Sequence, residues 1–163
     1  MGENSLDPAA FREAMARFAS GVTVVTARDP EHGLVAFTAS AFASLSLTPP
    51  LVAVCLDRRN DSFPAFRDAT HIAISMLAKD QADVARRFAT RGADKFGGGP
   101  TIEGEVTRLP LVPGAIAQLE CRMHSQLDGG DHLILVGEVL RAVSFDAEPL
   151  VHFRRKYGEF VPE

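Results

Sequence analysis

Cysteine, unbalanced charge and long apolar runs are all scarce in this chain, and each shortage narrows what it does. Of 163 residues two are cysteine, Cys55 and Cys121. Neither stands in a CxxC pair or at metal-ligand spacing, so two reduced core thiols are favoured over a disulfide or a metal centre. The formal charge is -4 and the isoelectric point about 5.7. Arg154-Arg155-Lys156 is the one short basic excess, so electrostatics argue against nucleic acid or a membrane surface as partner. No apolar stretch approaches the roughly 20 residues that span a bilayer, and the acidic, polar N-terminus does not read as a secretory leader. A cytoplasmic protein is expected. Catalytic triads, paired carboxylates and ligand clusters are missing as well. Gly97–Pro100 lacks the spacing of a phosphate fingerprint and has proline where the helix should open.

What is present reads as one ordinary globular domain over residues 7–163, after a disordered stretch at 1–6. Apolar residues make up 46% and charged ones 23%, enough for a real core at this length. Asp7-Pro8 starts a helix, an acid at the N-cap followed by proline at the first position. Phe11, Met15 and Phe18 then recur at helical spacing, which predicts a face packed on the core. Asp80 is expected to cap a second helix through Ala89, with Val84 and Phe88 inward. Residues 91–115 form a long glycine- and proline-rich loop, a length more often functional than idle.

The stretch from Gly21 to Ser62 organises the rest. Val22–Thr26 and Leu51–Leu56 are apolar, β-branched runs that read as strands, the second continuous enough to predict burial on both faces. Between them Leu34–Phe37 is a short strand, followed by a small-residue loop, Thr38–Ser46. Asn60-Asp61-Ser62 precedes a short helix with Ser62 as a plausible cap. Thr70–Leu77 is a further strand. From Ala117 to Leu127, small or apolar residues alternate with polar ones, the pattern of a half-buried strand. Asp128-Gly129-Gly130-Asp131 is hairpin material, and His132–Phe145 returns with a bend at Gly137. Pro149–Phe153 adds a last short strand before a basic tail. Several strands, few helices and hairpin links predict a mainly β protein with peripheral α-helices, an antiparallel barrel.

Five segments carry a resemblance: FREAMARFASGVTVVT (11–26), FTASAFASLSLTPPLVAVCLD (37–57), RRFA with a later KF (86–89 and 95–96), GDHLILVGEV (130–139) and RRKYG (154–158). In that order they resemble the short flavin reductases, the NAD(P)H:flavin oxidoreductase components of two-component monooxygenases. The resemblance implies an FMN-binding split barrel, FMN or FAD with NADH or NADPH, a homodimer and a separate oxygenase component. It places Thr38, Ala39, Ser40 and Ser44 along the flavin, Cys55, Leu56 and Asp57 at the strand end beside it, and Asn60 and Ser62 on its phosphate side. Arg87 and Phe88 match the family's RF segment, Arg87 as a phosphate counter-ion. His132 and Tyr157 match residues near the nicotinamide, His132 being the candidate catalytic group. Arg154 and Arg155 either meet cofactor phosphates or keep the tail soluble.

Competing readings stand beside these. Cys55 fits a core position equally well, Ser62 a simple cap and Arg87 a solvated helix face. His32, His71, His124 and His152 match nothing with a role. Ala36-Phe37 stands where many members have Gly-Met, and Ala41 where many have a second serine, removing one possible bond worth about 0.5–1.5 kcal/mol. The alternative functions are a flavin-binding carrier or sensor without reductase activity and a barrel for a non-flavin ligand.

Overall fold

The structure, a computed structural model, describes residues 6–163; the disorder expected at residues 1–6 lies, but for Leu6, outside them. Helix α1 (Pro8–Met15) is followed by β1 (Ser20–Gly21), β2 (Thr23–Asp29), β3 (Gly33–Ala39), β4 (Phe42–Ser46) and β5 (Leu51–Asp57). Then come α2 (Phe63–Asp68), β6 (His71–Met76), α3 (Ala82–Ala89) and the short strands β7 (Ile102–Glu103) and β8 (Pro110–Leu111). The long pair β9 (Ala117–Gly129) and β10 (His132–Ser144) precedes a hairpin of β11 (Leu150–Phe153) and β12 (Lys156–Glu159).

Seven strands form the main sheet in the order β3-β2-β6-β9-β10-β5-β4, every neighbouring pair antiparallel. Its two edges, β3 and β4, are joined in the chain by Ser40 and Ala41 alone. Edges that close together in sequence force the sheet to curl until they meet, so the strand order itself demands a barrel. β3 and β4 share no ladder, and that gap is the split. A second sheet, β1-β11-β12, is tied to the barrel by a bridge between Ala78 and Pro149.

The barrel interior holds Val25, Phe37, Val54, Leu56, Ile74 and Leu135, all buried. Phe66 of α2 closes one end, fully buried and edge-on to Phe37 with ring centroids 4.8 Å apart. Such a pair adds roughly 0.5–1.5 kcal/mol beyond the area it buries. A second core, with Val24, Leu77, Phe88 and Leu150, seats α3 and β11 against the barrel's outside. Gly137 marks a register shift where β10 bends across β9. A Cβ there would lie 2.9 Å from the Cβ of Cys121, so only glycine lets the strands approach this closely.

Several sequence expectations change. Asp7 caps α1 as read, its carboxylate accepting from the N–H groups of Ala9 and Ala10. The Phe11, Met15, Phe18 face is not packed on the core, however. These residues are 51%, 54% and 77% exposed, because helical periodicity reports an apolar face but not what covers it. β5 alternates instead of burying both faces: Val52, Val54 and Leu56 point inward, while Ala53, Cys55 and Asp57 stay partly exposed. The small-residue loop is mostly strand, β4. Gln81, not Asp80, occupies the N-cap of α3. The polar side of β9 is buried at Gln118 and Glu120, since the long loop folds over it. The basic tail continues as β12, turning through Arg154 and Arg155 with left-handed φ of 48° and 62°.

The loop's grip on β9 is a carboxylate held by backbone. Glu120 accepts hydrogen bonds from the N–H groups of Glu105, Val106 and Thr107 at 3.0, 2.9 and 2.6 Å, and from the Thr107 hydroxyl at 2.9 Å. Gly104 makes room, since a Cβ there would come within 2.5 Å of Oε2. Burial pushes the Glu120 carboxyl up, but the bonds from Thr107, Val106 and Glu105 together outweigh it and leave it below the usual range.

Candidate functional site

The outward face of β5 is the floor of the candidate site. Strand alternation puts Ala53, Cys55 and Asp57 on the face opposite the buried Val52, Val54 and Leu56. Register then sets their neighbours: Ala43 lies opposite Ala53, Ile134 opposite Cys55 and His132 opposite Asp57. Ala41, Ala43 and Ala53 leave a flat bed. The exposed face of α1 and the sheet edge wall it in, giving a groove of about 670 Å³ that also takes in Ser40, Cys55, His152 and Arg155. The Cys55 N–H donates to Ala41 at 3.0 Å and the Phe42 N–H to Ser40 at 3.1 Å, which fixes the corner between the sheet's edges. Burial raises the Cys55 thiol, so it stays protonated near neutrality.

Beyond Asp57 the same strand end opens into a hollow of about 250 Å³ lined by Asp57, Arg59, Asn60 and Arg91. Arg59 donates to Asp57 through both Nε and Nη2, at 3.1 and 2.7 Å. Those bonds hold the Asp57 carboxyl far below the usual range, with His132 adding a smaller pull. The Asn60 side chain accepts from the Ser62 N–H at 2.9 Å. Arg91 reaches in from the segment after α3, bonding Asp61 and the Arg59 carbonyl. Nearby, Lys95 donates to the Ala36 carbonyl at 2.7 Å, and burial lowers its amine. His132 is 40% exposed at the side chain, with Nδ1 2.7 Å from Asp131.

The predicted residues divide by place. Ser40 and Cys55 sit in the groove, Asp57 and Asn60 in the hollow, and His132 joins them through its register with Asp57. Ser62 is buried at the start of α2, its hydroxyl making no cap bond. Thr38 turns its hydroxyl away to the Ala85 carbonyl at 2.7 Å, clamping β3 to α3. The side chains of Ala39, Leu56 and Phe88 lie in the core. Ser44 pairs with Val52, on the opposite face of the sheet from Ala43. Arg87 bonds the Gly98 carbonyl and covers the Phe88 ring, its Nε buried without a partner among the described residues. Tyr157 lies beneath the Arg86 guanidinium and beside the His152 ring, and Arg154 is at the hairpin tip. Sequence reasoning missed Arg12 and His152, which reach the groove from α1 and β11, and Arg59 and Arg91, which line the hollow. Arg59 adjoins Asn60 in sequence, whereas tertiary contacts alone place the others. Among the described residues no group of three or more His, Cys, Asp or Glu side chains is placed to hold a metal ion.

With this geometry in place, comparison with known proteins is informative. Residues 15–160 match the family model described as a flavin reductase like domain. The chain is 43% identical over 161 residues to the FMN reductase (NADH) SmoA of Agrobacterium fabrum, covering 98% of this chain and 88% of that protein. It is likewise 43% identical over 159 residues to the reductase component of a 4-nitrophenol 4-monooxygenase/4-nitrocatechol 2-monooxygenase of Rhodococcus opacus, covering 96% and 83%. Among solved structures, the NADH:FAD oxidoreductase SgcE6 of Streptomyces globisporus, in complex with NAD and FAD fragments, superposes with a TM-score of 0.91 at 33% identity, covering 99% of each chain. The split in the barrel, the groove along its edge and the relatives agree: the chain belongs to the flavin reductase-like family.

Proposed function

We propose that the protein is a cytoplasmic NAD(P)H-dependent flavin reductase that supplies reduced FMN or FAD to a separate monooxygenase component. The observation that carries this reading is the flat, small-residue floor of β5 running from the groove into the cationic hollow, with His132 in register beside it. The residues fit a flavin: an aromatic ring system needs a flat apolar bed with polar groups at its rim, and a phosphate needs donors at one end. Ala53 and Cys55 would form the bed and Ser40 a hydroxyl at its rim. Asn60, Arg59 and Arg91 would hold the phosphate. When bound, the flavin supplies the redox chemistry, accepting a hydride and passing electrons onward.

The chain's own residues bind and orient. Asp57 stays ionised and keeps Arg59 at the hollow. Asp131 holds His132 at its strand start, where the imidazole would orient a nicotinamide carboxamide. The apolar walls from α1 exclude water from the bed. The likeness to proteins whose names make them reductase components of monooxygenases supports the separate oxygenase. A homodimer is part of this proposal. Val52, Val54, Leu56, Leu119 and Cys121 are buried within the chain, whereas Leu45, Leu47 and Leu140 are 55%, 87% and 41% exposed. The Val139 N–H donates to Pro50, which brings Leu140 to the β4–β5 turn and makes a patch for a second copy.

Purified protein supplied with FMN or FAD and NADH or NADPH tests the reading. Flavin-dependent oxidation of the nicotinamide is expected. Flavin binding without oxidation would favour the carrier or sensor, and no flavin binding would remove the proposal.

A further inference from the structure

A cavity of about 110 Å³ lies at the seam where the second sheet joins the barrel. Val22, Leu77, Ile116 and Leu150 wall it, and Ser40 and Phe42 lie on the side that it shares with the groove. Gly21 lines it too, without a side chain, and a Cβ there would meet nothing within 4 Å. The space therefore arises where two sheets meet across residues that do not fill the gap between them.

Its walls offer water little to hold. The Leu77 N–H donates to the Val22 carbonyl and the Leu150 N–H to the Leu77 carbonyl, both at 2.9 Å, and the Ile116 N–H to the Met76 carbonyl at 2.8 Å. These backbone groups face one another across the seam rather than the space. The Thr23 hydroxyl, on the same wall, donates to the Ala39 carbonyl at 2.9 Å. Among the described residues no charged side chain lines the cavity. A buried water needs about three hydrogen bonds, whereas an apolar cavity of roughly 150 Å³ stays dry and takes up benzene or xenon. One of about 110 Å³ suits a diatomic gas.

We propose that this cavity is a dioxygen site, which passes the gas by the Ser40–Phe42 corner to a reduced flavin on the β5 bed. Ser40 and Phe42 line both spaces, so one layer of residues separates them. Uptake of a small apolar gas follows from the cavity alone, and its consequence rests on the flavin reductase reading. Dioxygen that reaches an anionic reduced ring takes two electrons from it and two protons, one from the ring N5–H and one from water. Oxidised flavin and hydrogen peroxide remain. Where reduced flavin is meant for a second component, that reaction is a loss. The volume behind the corner sets how fast it runs.

Two readings test it, on the wild type, on Val22→Ile and Ile116→Phe, which fill the cavity from different segments, and on Leu150→Val, which enlarges it. Crystals under xenon pressure give the first. The anomalous signal of xenon is expected in the wild-type cavity, to fall by about half or more in each filling variant and to rise in Leu150→Val. Stopped-flow mixing of photoreduced, FMN-loaded protein with aerated buffer, protein being in excess over FMN, gives the second. Reoxidation is expected to slow by at least about threefold in the filling variants, while Kd for FMN and the rate of reduction by NADH stay within about twofold. A merely structural effect of altered packing would move those two along with reoxidation. A wild type that takes up no xenon overturns the proposal, as does any variant whose xenon content changes while its reoxidation does not. Failure of the flavin reductase reading shows differently, as absent FMN binding with xenon still in place.

Discussion

His132 shows how a single residue acquires a role from its surroundings. It opens β10, pairs with Asp57 and is bonded to Asp131, so its imidazole is held on the same face as Cys55. His132→Ala is expected to raise KM for NADH by about 3- to 100-fold, the loss of one or two contacts of roughly 0.5–1.5 kcal/mol each. Flavin affinity should hardly move, and stopped-flow titration of flavin bleaching against NADH checks both. A fall in the maximal rate with a new pH dependence would instead mark a proton donor. Residues of this kind were legible where the signal was local. The Asp7-Pro8 cap and the Gly137 bend could be read from neighbours in sequence. His152 could not, because only β1–β11 pairing and the position of α1 bring it to the groove.

Elements explain the expectations that failed. Phe11, Met15 and Phe18 have the same spacing whether α1 faces a core or a groove. The alternation of β9 was correct, yet Gln118 and Glu120 are buried because the loop just before the strand folds back and supplies their partners, Val112 for Gln118 and Glu105, Val106 and Thr107 for Glu120. That anchor has a pH signature. Glu120 has a folded pKa below its ordinary value of 4.5, so its contribution to stability is complete well above 4.5. It is lost as pH falls through 4.5 towards the lower folded value, at up to about 1.4 kcal/mol per pH unit. Glu120→Gln should flatten this part of a denaturant-measured stability profile and cost roughly 1.5–3 kcal/mol at pH 7. An unchanged acid limb would mean that other carboxylates set it. At the β5–α2 junction, Asn60→Ala with Ser62→Ala should weaken FMN binding more than it lowers the rate at saturating flavin. Equal wild-type affinities for riboflavin and FMN would count against a phosphate site there.

At the level of the whole molecule, the barrel was readable from strand count and hairpin spacing, but its closure was not. β4, Phe42–Ser46, sets Ala43, Ser44 and Ser46 among Phe42 and Leu45, inside a small-residue stretch that reads as a loop; its identity as a strand comes from pairing with β5. The exposed Leu45, Leu47 and Leu140 set the expectation for assembly. Sedimentation equilibrium should give a dimer at micromolar concentration, and Leu47→Asp with Leu140→Asp should shift it to monomer. A wild-type monomer that still binds flavin would refute the assignment of this patch.

The corner at Ser40 and Ala41 has one more consequence. In an open sheet of this order, β3 and β4 would be free edges presenting unpaired amides and carbonyls to any extended chain. Because two residues link them, each edge is turned towards the other at that corner. The step that sets Ser40 at the groove therefore also narrows the room in which an extended chain could add to either edge.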